Sequence, residues 1–167
     1  MTEWVDRVDE RDRVIGVVER GEAVRNGWPH RIAVTVCHRA DGRYLVHRRP
    51  AHATRFPGLH NWLVGGAVAA GESYAAGAAR ELAEELGVRA RPVPLFTFFC
   101  DGAIAPYWLA LHEARTDGPL RPDPGEMAGI RWCTAAEIDA LIKAGRFVPD
   151  GAEAWERARK GGHLPGA

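Results

Sequence analysis

The sequence predicts a single mixed α/β domain spanning residues 1–167. Three observations predict it. Short segments with strand periodicity, several paired across turn residues, alternate with helix-periodic segments that carry their own caps. The length suits one domain with a sizeable core. No internal repeat or linker-like stretch divides the chain.

The elements follow in order. "EWVDRVDERDRVIGVVERGEA" reads as two short strands around a turn at Asp9 to Asp12. Ile32, Val34 and Val36 alternate with Ala33, Thr35 and Cys37, which is a strand; Asp41-Gly42 turns the chain and "RYLVHRR" returns. "AHATRFPGLHN" is loop, punctuated by Pro57-Gly58, and "WLVGG" is a short strand ending in glycine. Ser73 caps a helix that Gly87 ends. "VPLFTFFC" and "APYWLALHEA" form a second hairpin about Asp101-Gly102. "RTDGPLRPDPGEMAG" is a polar loop and "IRWCT" a short strand. "TAAEIDALIKAG" is a helix with a capping box, Thr134 and Glu137. "DGAEAWERARK" reads as a last helix, and "GGHLPGA" as a loose tail.

Composition narrows the function. Lys plus Arg equals Asp plus Glu at 22 each, so no global field favours a nucleic acid polymer or a membrane surface. Cys37, Cys100 and Cys133 are odd in number and widely spaced, without a CxxC pair. That argues against a disulfide framework or a Cys-rich zinc site and for a reducing compartment. The opening "MTEWVDRVDERDRV" is too charged for a signal peptide, and no run reaches the ~20 apolar residues of a membrane helix. The expectation is a cytoplasmic protein with a small-molecule ligand; a homodimer stays open.

The chemistry concentrates in "GGAVAAGESYAAGAARELAEELGV", residues 65–88. With Glu81 at zero on a helix, Glu85 lies ~40° to one side and Glu84 ~60° to the other. Three carboxylates therefore share one face, with Ala75, Ala79, Leu82, Ala83 and Leu86 expected on the packing side. Like charges at this spacing repel. Hard divalent cations take several oxygen ligands, and Mg²⁺ in particular combines a few carboxylates with substrate phosphates. Gly65, Gly66 and Gly71 would let the backbone approach such a ligand. Gly77 costs ~1 kcal/mol relative to Ala within the helix; two readings stay open, room for substrate or loop and neutral drift in an alanine-rich helix. A plain solvated acidic face is the competing reading.

The full spacing is Gly66, five residues, Glu72, seven residues, then Arg80-Glu81-Leu82-Ala83-Glu84-Glu85-Leu86-Gly87-Val88. It matches the Nudix box at every fixed position, a coincidence expected by chance on the order of once in a hundred million. The sequence therefore resembles the Nudix hydrolases. The flanks, "VDERDRV" through "WPHR", "HRRP" and "FPG", are similar to the branch that includes isopentenyl diphosphate isomerase.

The resemblance implies an α/β/α sandwich with a mixed β-sheet, a loop–helix–loop catalytic motif, Mg²⁺ or Mn²⁺, and hydrolysis of a diphosphate bond in a nucleoside diphosphate linked to another group. It implies Glu81, Glu84 and Glu85 as metal ligands with the Gly66 carbonyl, and a Glu72–Arg80 pair that orients Glu81. Glu81 and Glu126, in "PDPGEMAG", are the candidate bases. Arg48, Arg49 and Arg55 are candidate phosphate ligands, since Arg presents a fork of donors to oxyanions. Trp62 is a candidate stacking platform, although His60 stands where the related pattern has Trp. Two alternatives remain. One is a noncatalytic diphosphate-binding module, against which the complete carboxylate set argues. The other is the isomerase, whose chemistry needs a Cys and a His where this chain has Gly65 and Ala67. His30 matches one further isomerase ligand position, while Val24 stands near another.

Overall fold

The computed structural model describes residues 1–103 and 105–165. It contains β1 (Trp4–Val8), β2 (Val14–Glu19), α1 (Arg20–Asn26), β3 (His30–His38), β4 (Tyr44–Arg48), β5 (His60–Asn61) and β6 (Leu63–Ala67). There follow α2 (Tyr74–Leu86), β7 (Val93–Cys100), β8 (Tyr107–Arg115), β9 (Gly129–Cys133), α3 (Ala135–Lys143) and α4 (Pro149–Lys160).

β3 is the central strand. It runs antiparallel to β6, with Val34 opposite Gly65, and parallel to β8, with Val34 opposite Leu111. β7 extends the sheet beyond β8, and β4, with β5 and β9, joins through the β3–β4 hairpin. Alternation along β3 splits the core in two. Val34 and Val36 pack with Trp62, Ile138 and Trp155 toward α3 and α4. Cys37 packs with Leu45, Val64, Leu82 and Leu86 toward α2, and Ala33 with Ala78 beside it. Helices thus cover both faces of a mixed sheet, the expected α/β/α sandwich.

The β1–β2 hairpin is pinned to the loop before α2. Buried Asp6 accepts from the Gly71 amide at 3.1 Å, and Ala70 N donates to Trp4 O at 2.9 Å. Asp12 accepts from Arg31 Nε at 2.7 Å and from the Tyr74 hydroxyl at 2.9 Å.

Several expectations need correction. "RGEA" is not strand: Glu19, the last residue of β2, caps α1, accepting from the Gly21 and Glu22 amides, and Gly27 ends the helix with φ of 65°. Seven residues are too few for a helical period to show. The loop after β4 contains β5. The tail is packed as far as Pro165, whose carbonyl accepts from the Tyr44 hydroxyl at 2.8 Å. The end of that tail, 166–167, lies outside the described residues.

On α2 the buried residues are Gly77, Ala78, Leu82 and Leu86, whereas Ala75 is exposed. The packed arc is therefore centred roughly 50° from Glu81 toward Glu85, rather than opposite the carboxylates. Burial of the large side chains Leu82 and Leu86 sets this rotation.

Candidate active site

The loop and helix are tied through one guanidinium. Arg80 donates from Nε and Nη2 to the two oxygens of Glu72 at 2.9 and 3.0 Å. Its Nη1 reaches Glu81 Oε1 at 2.7 Å, and Nη2 also reaches the Ala67 carbonyl at 3.1 Å. Glu72 closes its own turn by accepting from the Ala69 amide at 2.9 Å. Such a charge-assisted, two-pronged pair fixes geometry as well as adding energy. Arg80 lowers the pKa of Glu72, and Glu72 in turn raises that of Arg80. Gly77 lets this happen: a Cβ there would lie 3.2 Å from Glu72 Oε2 and 3.4 Å from Val68 Cγ2. The room it leaves is for the loop.

A cavity of about 310 Å³ opens beside this motif. Glu81, Glu85 and Glu126 line it with Gly65 and Gly66. Gly66 lies against Glu81, whose carboxyl atoms would be 3.2 Å from a Cβ at that position. Gly65 has φ of 152°, and a Cβ there would fall 2.1 Å from the Ala33 carbonyl oxygen. β6 can lie this close to β3 only without a side chain at 65.

Burial pushes the Glu85 carboxyl up to about 9, with the nearby charges of Glu81 and Glu126 adding to it and the Gly65 amide opposing. Burial also raises Glu81, against the pull of Arg80. Carboxylates facing one another in a partly dry space suit a cation between them. Among the described residues no three His, Cys, Asp or Glu side chains form a ready-made ion cage. Mg²⁺ usually divides its coordination between a few protein carboxylates and a ligand's oxygens. Glu84 is outside the cavity lining; its side chain is 60% exposed and lies 3.4 Å from Arg80 Nη1. The helix rotation that carries Glu85 inward carries Glu84 out.

Arg20, Arg49 and Arg55 also line the cavity. Arg49 Nε donates to the Arg55 carbonyl at 2.7 Å, and Arg20 pairs with Glu3 at 3.0 Å. Burial lowers the pKa of Arg55, and the neighbouring charges of Arg20 and Arg49 lower it further. Arg48, the last residue of β4, is exposed and absent from the lining.

Trp62 is not available as a platform. It is fully buried, donates from Nε1 to the Gly151 carbonyl at 2.9 Å, and meets Tyr44 and Trp155 edge-on. His47 is likewise structural, buried with Nε2 2.8 Å from the Leu63 carbonyl. The structure adds cavity residues that sequence reasoning missed: Arg20, Asn61 and Asp150. Arg20 lies in the unrecognised α1. Asn61 and Asp150 are 89 positions apart in the chain, and no spacing links them.

Residues 28–155 match the NUDIX domain family. An uncharacterised Nudix hydrolase of Streptomyces coelicolor is 40% identical over 99% of this chain and 94% of its own length. An isopentenyl-diphosphate Delta-isomerase of Nocardia farcinica is 37% identical over 84% of each chain. The crystal structure of DR0079 from Deinococcus radiodurans superposes with a TM-score of 0.82 at 30% identity, covering 93% of this chain and 98% of that one.

Proposed function

The chain belongs to the Nudix hydrolase family, and from that premise we propose that it uses Mg²⁺ or Mn²⁺ to hydrolyse the diphosphate bond of a nucleoside diphosphate linked to a further group. A nucleoside di- or triphosphate, a nucleotide sugar or a coenzyme fits this description. The observation that carries the reading is one cavity lined both by the carboxylates of Glu81, Glu85 and Glu126 and by Arg20, Arg49 and Arg55. The carboxylates suit the cation and the guanidiniums suit the phosphate oxygens.

The residues that would hold the cation are Glu81, Glu85 and the Gly66 carbonyl, with Glu84 at the outer edge. When bound, the ion would offset phosphate charge and lower the pKa of an attacking water. The guanidiniums orient the phosphate oxygens for in-line attack. Arg80, itself locked by Glu72, fixes one Glu81 oxygen and leaves the other to accept the water's proton. Glu126 faces the same space and is the other candidate base.

The isomerase relative favours a second reading, but Gly65 opposes it. Isomerase chemistry needs a Cys there, and the backbone at 65 has no room for a Cβ. The three cysteines present are buried elsewhere. A binding module without turnover would have no use for an oriented Glu81.

The test is phosphate release from a panel of nucleoside di- and triphosphates, nucleotide sugars, dinucleotides and coenzyme A, with Mg²⁺ and with Mn²⁺. Metal-dependent turnover of one class is expected, falling at least 10³-fold in Glu81→Gln. Turnover unaffected by Glu81→Gln would refute the assignment.

A further inference from the structure

Asp150, in the first turn of α4, and Asn61, at the end of β5, line the same cavity as the α2 carboxylates. α4 is pressed onto Asn61: a Cβ on Gly151 would come within 2.2 Å of Asn61 Oδ1. The Trp62 indole anchors the same helix start through the Gly151 carbonyl. Asn61 Oδ1 accepts from the Leu63 amide at 3.2 Å, which directs the side-chain N–H₂ elsewhere. Among the described residues that N–H₂ has no acceptor. Asp150 is half-buried and forms no ion pair among the described residues. Its one donor there is a weak one, the Cys100 thiol at 3.8 Å. Leu63, Leu109 and Val148 are apolar residues of the same lining.

We propose that Asp150 and Asn61 are specificity-determining residues that read a hydrogen-bonding edge, one donor beside one acceptor, on the group attached to the diphosphate. The Asp150 carboxylate accepts from the ligand and the Asn61 amide donates to it. A nucleobase edge offers that pair between flat apolar faces, and Asn and Asp are side chains that recognise such edges. A hydrocarbon chain, as in an isoprenoid diphosphate, would leave both polar groups desolvated and unpaired. A site built to hydrogen-bond its substrate rejects an analogue that cannot reciprocate. The inference rests on the hydrolase reading and adds to it the side chains that select the base.

The experiment compares wild type, Asp150→Asn, Asp150→Leu and Asn61→Leu. Its panel is nucleoside diphosphates that differ in their base edge, plus dimethylallyl diphosphate as the hydrocarbon control. Asp150→Asn preserves size and the helix start. It should lower kcat/KM for the preferred nucleotide 10- to 100-fold, mainly through KM, and shrink the preference among bases. Asp150→Leu should bind the prenyl compound more tightly than wild type does. Equal losses on every nucleotide would make the position merely structural and overturn the proposal, as would a wild type that handles the prenyl compound as well as any nucleotide. If wild type turns over nothing, the hydrolase reading fails separately. Calorimetric binding of nucleoside monophosphates then decides: affinity lost in Asp150→Asn sustains the proposal, and affinity unchanged, or no binding by wild type, overturns it.

Discussion

Gly65 shows how much one residue constrains this site. Its φ of 152° and the 2.1 Å separation between a would-be Cβ and the Ala33 carbonyl leave no room for any other residue. Gly65→Ala should cost more than about 3 kcal/mol, read as the shift of a urea midpoint; a midpoint unchanged from wild type would show that β6 can move off β3. Helix spacing placed Glu81, Glu84 and Glu85 on one face, because that is local geometry; the Glu72–Arg80 pairing that holds Glu81 came only with the Nudix resemblance. The roles of Trp62 and Arg48 were not legible in the sequence. An aromatic before a glycine turn reads the same whether it faces a ligand or a core, and adjacent arginines at a strand end read alike although Arg49 lines the cavity and Arg48 does not. Only the placement of α4, far along the chain, decides that Trp62 is buried.

At the level of elements, α2 determines the site by its rotation. Leu82 and Leu86 bury against the sheet, so Glu85 turns into the cavity and Glu84 into solvent. Glu85→Gln should therefore reduce kcat/KM at least tenfold more than Glu84→Gln, measured on the same substrate under saturating Mg²⁺. Equal effects, or the reverse order, would mean the helix turns when it binds its ligand. The Ser73 and Gly87 end signals disclosed that a helix existed, and its turn per residue disclosed which carboxylates shared a face. Neither disclosed the packing angle, because small alanines all round the helix make several faces equally plausible for burial. α1 escaped notice for a different reason: a seven-residue helix is held by the Glu19 cap and by tertiary packing, and neither has a periodic signature.

For the whole molecule, the alternation along β3 and the two hairpins made the mixed α/β class readable, and the Nudix resemblance supplied the two-faced arrangement. The parallel β3–β8 pairing, 77 residues apart in sequence, had no local signal. Among the described residues no helix is long and apolar enough to cross a membrane. The sandwich also buries neutral histidines, which makes its stability depend on pH. Burial holds His47 down to about 4, and burial lowers His112 and His30 as well. The unfolded chain takes up these protons near 6.5, before the folded one does, so stability is complete above that pH and is lost as pH falls toward 4. His47 alone accounts for about 3 kcal/mol of that loss. The melting temperature should fall across this window, and His47→Gln, which can still donate to the Leu63 carbonyl, should flatten the decline; a wild-type profile level from pH 6.5 to 4 would contradict it. The central claim is hydrolysis at phosphorus. Its most direct test is turnover of the best nucleotide substrate in ¹⁸O-labelled water with Mg²⁺, followed by mass analysis of the products. One labelled oxygen is expected on a phosphate product, lost together with turnover in Glu81→Gln. No labelled phosphate from any nucleotide, alongside isomerisation of isopentenyl diphosphate, would contradict it.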